Sequence, residues 1–160
     1  VEILDVERIL NEISPVSTEV STELVEASVE RNPHGRPVLV ADDSSVARKQ
    51  VQRALEAIGV QCVLAKDGRE ALNMLLEMAK QGPILDQIAL VISDIEMPEM
   101  DGYTFTAEIR NNPNLKDLHV ILHTSLSGVF NQAMVQKVGA NNFIAKFQPD
   151  ELAKAVQGAL

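Results

Sequence analysis

The chain has almost none of the residues that cross-linked or thiolate-metal architectures require. Cys62 is the only cysteine in 160 residues and lies in the apolar run Val60–Leu64, which excludes a disulfide framework and a cysteine-rich metal site. A buried structural thiol is the expectation, and a reducing cytoplasm the expected setting. Positive charge is also scarce: 14 Lys and Arg against 23 Asp and Glu give a formal net charge of −9. Nucleic acid and anionic lipid recruit clustered Lys and Arg, so this balance argues against both and favours divalent cations or basic protein patches as partners. No apolar run approaches the roughly 20 residues needed to cross a bilayer, and no basic region precedes a signal-like stretch, so membrane insertion is not expected. Sequence repeats, low-complexity tracts and glycine-rich nucleotide loops are missing as well.

What is present is enough apolar residue, 46%, to bury one full core with some length left over. The surplus is at the front. Residues 1–36 carry eight acidic and three basic side chains, so five of the nine excess negative charges fall in under a quarter of the chain. Ile3, Val6, Ile9, Leu10 and Ile13 recur at helical spacing until Pro15, predicting a helix over Val1–Ser14; a second, weaker helical pattern runs from Ser21 to Glu30. Pro33, Gly35 and Pro37 then break the chain. The chain opens on Val1 inside a helical pattern, so a longer parent protein is expected. The helix is too short to be stable alone, and its apolar face needs a partner: an upstream domain or, in a homodimer, a second copy of the chain.

From Pro37 onward, β-branched runs alternate five times with amphipathic helical patterns. The strands are predicted at Val38–Asp43, Gln61–Lys66, Ile88–Asp94, His119–Ser125 and Asn142–Lys146. The first helix is capped by Ser44 or Ser45, carries the stripe Ala47, Val51, Ala54, Leu55 and Ile58, and is ended by Gly59. The others are predicted at Gly68–Lys80, Gly102–Asn111, Phe130–Val138 and Pro149–Leu160. Strict βα alternation with near-continuous apolar strands predicts an α/β fold, a parallel sheet covered by helices on both faces. Such sheets bind ligands at the carboxyl ends of the strands, near the topological switch point.

Polar residues gather at those ends: Asp42 and Asp43 after the first strand, Asp94 after the third, Thr124 in the fourth and Lys146 after the fifth. An acidic pair after a strand is most often solvated or caps the next helix. A third carboxylate at the same edge changes the balance, because three mutually repelling carboxylates call for a cation. Mg²⁺, which takes six oxygens and keeps several waters, suits two carboxylates and a backbone carbonyl. Lys146 can contact a second, transient anion, for which a phosphoryl group is the natural choice. With Asp94 as acceptor, Lys146 and the metal would share the charge on the phosphoryl oxygens while the Thr124 hydroxyl donates to another.

Leu39-Val40-Ala41-Asp42-Asp43-Ser44, the block Val91–Gly102 with its Ser-Asp-x-x-Met-Pro-x-Met-Asp-Gly pattern, His123-Thr124-Ser125 and Phe143-Ile144-Ala145-Lys146 resemble the signature blocks of response-regulator receiver domains. The resemblance covers residues 37–160. It implies a flavodoxin-like (βα)5 fold with strand order 2-1-3-4-5, an N-terminal helical linker, and phosphotransfer from a histidine kinase to Asp94. It further implies Mg²⁺ or Mn²⁺ held by Asp43, Asp94 and the carbonyl of Glu96, with Asp42 acting through the metal's water shell. Thr124 corresponds to the switch hydroxyl and Phe143 to the switch aromatic, with a responsive face that would include Phe130, Met134 and Lys137. Many receivers follow the lysine with proline, but here Lys146-Phe147-Gln148-Pro149 predicts a trans bond after Lys146.

Ile3–Leu10 is similar to the end of a CheW-like coupling domain, and with the Lys146–Pro149 variant it points to the CheV family. The implied organisation is the end of a coupling domain plus linker over residues 1–36 and a receiver over 37–160. The implied partners are a CheA-like histidine kinase and, through the coupling domain, chemoreceptors, with the receiver tuning receptor–kinase coupling or acting as a phosphate sink. Two other readings compete: a receiver with a different output, and a Mg²⁺-dependent phosphatase working through an aspartyl phosphate. Enzymes of the latter class place a second catalytic aspartate two residues after the nucleophile, where this chain has Glu96.

Overall fold

The computed structural model describes residues 35–125, 132–146 and 148–160. The helices expected over Val1–Ser14 and Ser21–Glu30, the face residue Phe130 and the Lys146–Phe147 bond lie outside them.

Five parallel strands, β1 (Val38–Ala41), β2 (Cys62–Ala65), β3 (Leu90–Ser93), β4 (Val120–Thr124) and β5 (Asn142–Ala145), form one sheet in the order β2-β1-β3-β4-β5. Five helices follow them in turn: α1 (Ser45–Glu56), α2 (Gly68–Gln81), α3 (Gly102–Asn111), α4 (Gln132–Val138) and α5 (Pro149–Ala159). The chain runs from β1 outward to β2, then returns past β1 to β3, so the switch point lies between β1 and β3. Val38, Leu39, Val40 and Ala41 pair with Leu90, Val91, Ile92 and Ser93 there, which brings the residues following Ala41 and Ser93 to the same sheet edge.

Alternation along each strand divides the core. Val38, Val40, Leu90, Ile92, Ile121 and Ile144 meet Val51 and Leu55 of α1 and Leu152 and Val156 of α5. Leu39, Ala41, Val91 and Val120 meet Leu72 and Leu75 of α2 and Phe105 and Ile109 of α3. The central strands β1, β3 and β4 are buried throughout, as expected for strands covered on both faces, whereas the edge strands β2 and β5 are half-buried. A third, smaller cluster of Ile95, Leu122 and Val135, flanked by Tyr103, Ala140 and Phe143, lies between α3, α4 and β5.

Local chemistry fixes the helix ends. Ser44 Oγ accepts from the Ala47 N–H, Asp67 Oδ1 from Glu70, and Asp101 Oδ1 from Thr104, each an N-cap placed just after a strand or loop at the carboxyl edge of the sheet. Regular α1 geometry stops at Glu56, but the chain keeps turning to Gly59. There, bonds from the Gly59 N–H to Glu56 O and from Val60 to Leu55 O close a Schellman motif on a glycine with φ of 82°. Gly139, at φ 87°, ends α4 the same way through bonds to Gln136 and Val135. The carboxyl end of α2 is covered by Gln87, whose Nε2 donates to Met78 O and Gly82 O, and a single 3-10 turn at Ile84–Asp86 carries the chain to β3.

Candidate functional site

Asp42 and Asp94 each follow directly on a buried strand, and Asp42, Asp43 and Asp94 each offer a carboxylate oxygen within 4.8 Å of the others. Asp42 and Asp94 are buried and Asp43 is exposed, so the cluster is a pocket with one wet side. Lys146, one residue past β5, reaches in with Nζ at 3.0 Å from Asp42 Oδ2 and 3.3 Å from Asp94 Oδ2, its side chain 12% exposed.

Asp42 is held on all sides. Its N–H donates to Ala65 O, its Oδ1 accepts from the Ser44 N–H at 2.9 Å, and its carbonyl accepts from Arg48 Nη1 at 2.6 Å. Oδ2 receives no aligned hydrogen bond, and its partner is the Lys146 charge at ion-pair distance. Asp94 Oδ1 accepts from the Ile95 N–H at 2.8 Å, leaving Oδ2 toward Lys146. Burial, and then the neighbouring Asp42 charge, push the Asp94 pKa up to about 6 against the pull of Lys146 and the Ile95 N–H. Burial alone would lower the Lys146 pKa; the ion pairs with Asp42 and then Asp94 reverse this and raise it. Three carboxylates, two of them buried, each offering an oxygen within 4.8 Å of the others, suit a hard divalent cation in number and type of donor, so the residues fit Mg²⁺ or Mn²⁺.

The loop from β3 to α3 is clamped on both sides of the pocket. The Gly102 N–H donates to Ile95 O, and a Cβ at Gly102 would run into the Asp94 carbonyl. The Gly68 N–H donates to Met100 O, which a Cβ at Gly68 would likewise meet. Between the clamps, Glu99 sits at φ 67° under a 2.7 Å bond from the Met100 N–H to Pro98 O, a tight turn that a non-glycine residue adopts only with strain.

The remaining expected residues lie on β4, β5, α4 and the loop from β3 to α3. Thr124 is buried at the end of β4, and its carbonyl accepts from the Lys146 N–H at 2.7 Å, tying the two strand ends together. Phe143 pairs with Leu122 across β4 and β5 and is half-buried in the third cluster. Glu96 is exposed on the clamped loop, Met134 half-buried and Lys137 exposed on α4. Cys62 departs from expectation in being only half-buried, because β2 is an edge strand; burial, with Glu56 adding to it, still pushes its thiol up to about 12. His123 is buried and neutral, its pKa lowered to about 4 by burial and then by Lys146. Sequence reasoning missed Arg48 and both glycine clamps. Arg48 gave no signal, since its reach back to Asp42 depends on where α1 lies, whereas the Asp-Gly pair at 101–102 could have announced a close approach.

A doubly wound sheet with an acidic pocket at its switch point, one strand-end lysine and one strand-end threonine defines a phosphoryl-accepting module. A family model described as "Response regulator receiver domain" matches residues 38–157, well over half of the chain. The chain belongs to that family, and is a phospho-accepting receiver of two-component signalling. It is 28% identical over 158 residues to chemotaxis protein CheV1 of Helicobacter pylori, covering 98% of this chain and 48% of that protein. It is 31% identical over 130 residues to protein PilG of Pseudomonas aeruginosa, covering 81% of this chain and 90% of PilG. The solved structure of Vibrio cholerae chemotaxis protein CheY4 superposes with a TM-score of 0.65 at 30% identity, over 78% of this chain and 98% of that one. The chain spans less than half the length of the CheV relatives it matches. Among the described residues no helix is long and apolar enough to cross a membrane.

Proposed function

We propose that Asp94 accepts a phosphoryl group from a CheA-like histidine kinase in a cytoplasmic chemotaxis pathway, on a chain organised as in the CheV family. The observation that carries this is the convergence of Asp42, Asp43, Asp94 and Lys146 at one sheet edge, with Lys146 Nζ 3.3 Å from Asp94 Oδ2. An ionised Asp94 oxygen attacks phosphorus; the O–P bond forms as the P–N bond of the donor phosphohistidine breaks, and that electron pair returns to the imidazole. Lys146 turns part of its charge from Asp42 and Asp94 to a phosphoryl oxygen, and the Thr124 hydroxyl donates to another. Mg²⁺ or Mn²⁺, when bound by Asp43, Asp94 and the Glu96 carbonyl with Asp42 behind its waters, supplies the charge that lets three carboxylates and a phosphoryl group share one pocket. Thr124 drawn toward phosphate would vacate space beside Leu122 for Phe143, altering the face made by α4, β5 and α5.

The match to CheV1 covers 98% of this chain and so runs through the amino-terminal segment as well as the receiver. That supports the division into a coupling-domain end and linker over 1–36 and a receiver over 37–160. On this reading, phosphorylation adjusts receptor–kinase coupling or drains phosphate from the kinase, and chemoreceptors are reached through the upstream domain. The test is Mg²⁺ titration of the metal-free protein, followed by melting temperature, with wild type and Asp43→Asn side by side. Wild type should gain stability by mass action while Asp43→Asn gains much less; equal responses would remove the metal assignment.

A further inference from the structure

The Arg48 side chain reaches back from α1 across the start of its own helix and donates from Nη1 to the Asp42 carbonyl at 2.6 Å. It is half-buried, so the bond is partly shielded from water. The acceptor is the carbonyl of the peptide that joins Asp42 to Asp43, the two carboxylates contributed by β1. Three further bonds converge on the same short stretch: the Asp42 N–H to Ala65 O, the Ser44 N–H to Asp42 Oδ1, and the Ala47 N–H to Ser44 Oγ. All of those restrain the strand side, the Asp42 side chain or the helix cap. The Ser44 N–H bond to Asp42 Oδ1 closes a ring that contains the Asp42–Asp43 peptide, and Arg48 holds that same peptide by its carbonyl from outside the ring.

We propose that Arg48 is a positioning residue for the divalent cation: by holding the Asp42 carbonyl it fixes the orientation of the Asp42–Asp43 peptide, and hence the aim of the Asp43 carboxylate into the pocket. This rests on the metal assignment made above for Asp43 and Asp94. Asp43 is exposed, so the direction of its carboxylate follows the backbone that carries it. Rotation of the preceding peptide, within what the Ser44 N–H to Asp42 Oδ1 bond allows, would shift it. A guanidinium suits the task because it stays charged and its long stem covers apolar surface on the way. Residues that orient a metal's ligands without touching the metal characteristically change affinity by about 10–100-fold when removed.

The experiment is calorimetric titration of Mg²⁺ into the whole 160-residue protein, metal-free, for wild type, Arg48→Met, Arg48→Lys, Asp43→Asn and Asp94→Asn. Melting temperatures are taken in EDTA, and acyl-phosphate formation from acetyl phosphate is measured across Mg²⁺ concentrations. Arg48→Met keeps the stem and loses the donor; it should weaken Mg²⁺ by about tenfold. Phosphorylation should then need correspondingly more Mg²⁺ but approach the wild-type rate at saturation. Arg48→Lys, which retains a donor of similar reach, should recover much of the affinity. An Mg²⁺ affinity for Arg48→Met within twofold of wild type, whatever its melting temperature, would overturn the proposal and leave Arg48 a purely structural tie. Should Arg48→Met not fold, Arg48→Ala takes its place: an Mg²⁺ affinity within twofold of wild type would likewise overturn the proposal, and a loss of about tenfold would support it. Failure of the metal assignment itself is a separate result, in which Asp43→Asn and Asp94→Asn bind Mg²⁺ as wild type does.

Discussion

At the scale of single residues, the pocket stores unfavourable charge that a cation or a proton can relieve. The Asp94 pKa is raised to about 6 in the fold from an ordinary 3.8, so the native state holds this proton more tightly than the unfolded chain. Its contribution to stability is fully present below about pH 4 and is lost as pH rises through 6. His123 works in the opposite direction: its pKa falls to about 4, so its contribution is present above about pH 6.5 and is lost as pH falls through 4. Over pH 4–6 the two largely offset each other in the wild type. Asp94→Asn in EDTA should therefore be more stable than wild type at pH 7.5, by an amount on the order of 2–3 kcal/mol at most. That advantage should vanish by pH 4, with His123 left unopposed. Urea unfolding at pH 7.5, 5.5 and 4 measures this; an advantage that grew toward low pH would contradict the assigned direction of the Asp94 shift.

The residues of the pocket were legible in the sequence because each ends an apolar run, and parallel strands deliver their ends to one edge. The contacts that aim them were not. Arg48 to the Asp42 carbonyl, and the hub at Arg110, which donates to Gly139 O, Leu118 O, Lys116 O and Asn141 Oδ1, both span elements whose relative placement no local pattern records.

At the scale of elements, the strands and helices followed from periodicity because the central strands are buried on both faces and so read as uninterrupted apolar runs. The differences lie at ends. The last turn before Gly59 tightens and drops out of regular α geometry, and β3 begins at Leu90, two residues after the expected Ile88. The 3-10 turn at Ile84–Asp86 is too short to show any period. Two glycines with opposite surroundings test how the elements are fitted. A Cβ at Gly102 meets the Asp94 carbonyl, backbone that cannot yield cheaply, whereas a Cβ at Gly158 in α5 meets open space. Gly102→Ala should cost about 3 kcal/mol or more. Gly158→Ala should stabilise by about 0.5–1 kcal/mol through the helix backbone alone. Thermal unfolding of the two variants distinguishes them, and similar melting temperatures would mean that the loop to α3 yields where the structure has it clamped.

At the scale of the whole molecule, the described residues from Pro37 onward hold the sheet, its three apolar clusters and a closing helix, and Arg36 just before them donates to Leu85 O. Deleting residues 1–35 should leave the receiver fold and its phosphorylation intact while reducing any self-association that depends on the apolar residues Ile3, Val6, Leu10 and Ile13. Sedimentation and phosphorylation of the shortened chain check both halves of that statement. An unfolded product would make the amino-terminal segment part of the receiver core.

The central claim is that Asp94 is the phosphoryl acceptor. The most direct test is to phosphorylate the protein in Mg²⁺ with acetyl phosphate, reduce the acyl phosphate with borohydride, and map the modified residue by peptide mass spectrometry. A single homoserine at position 94, with no modification of Asp42 or Asp43 and none anywhere in Asp94→Asn, is the expected result. Stoichiometric modification at another carboxylate, or full incorporation into Asp94→Asn, would contradict it.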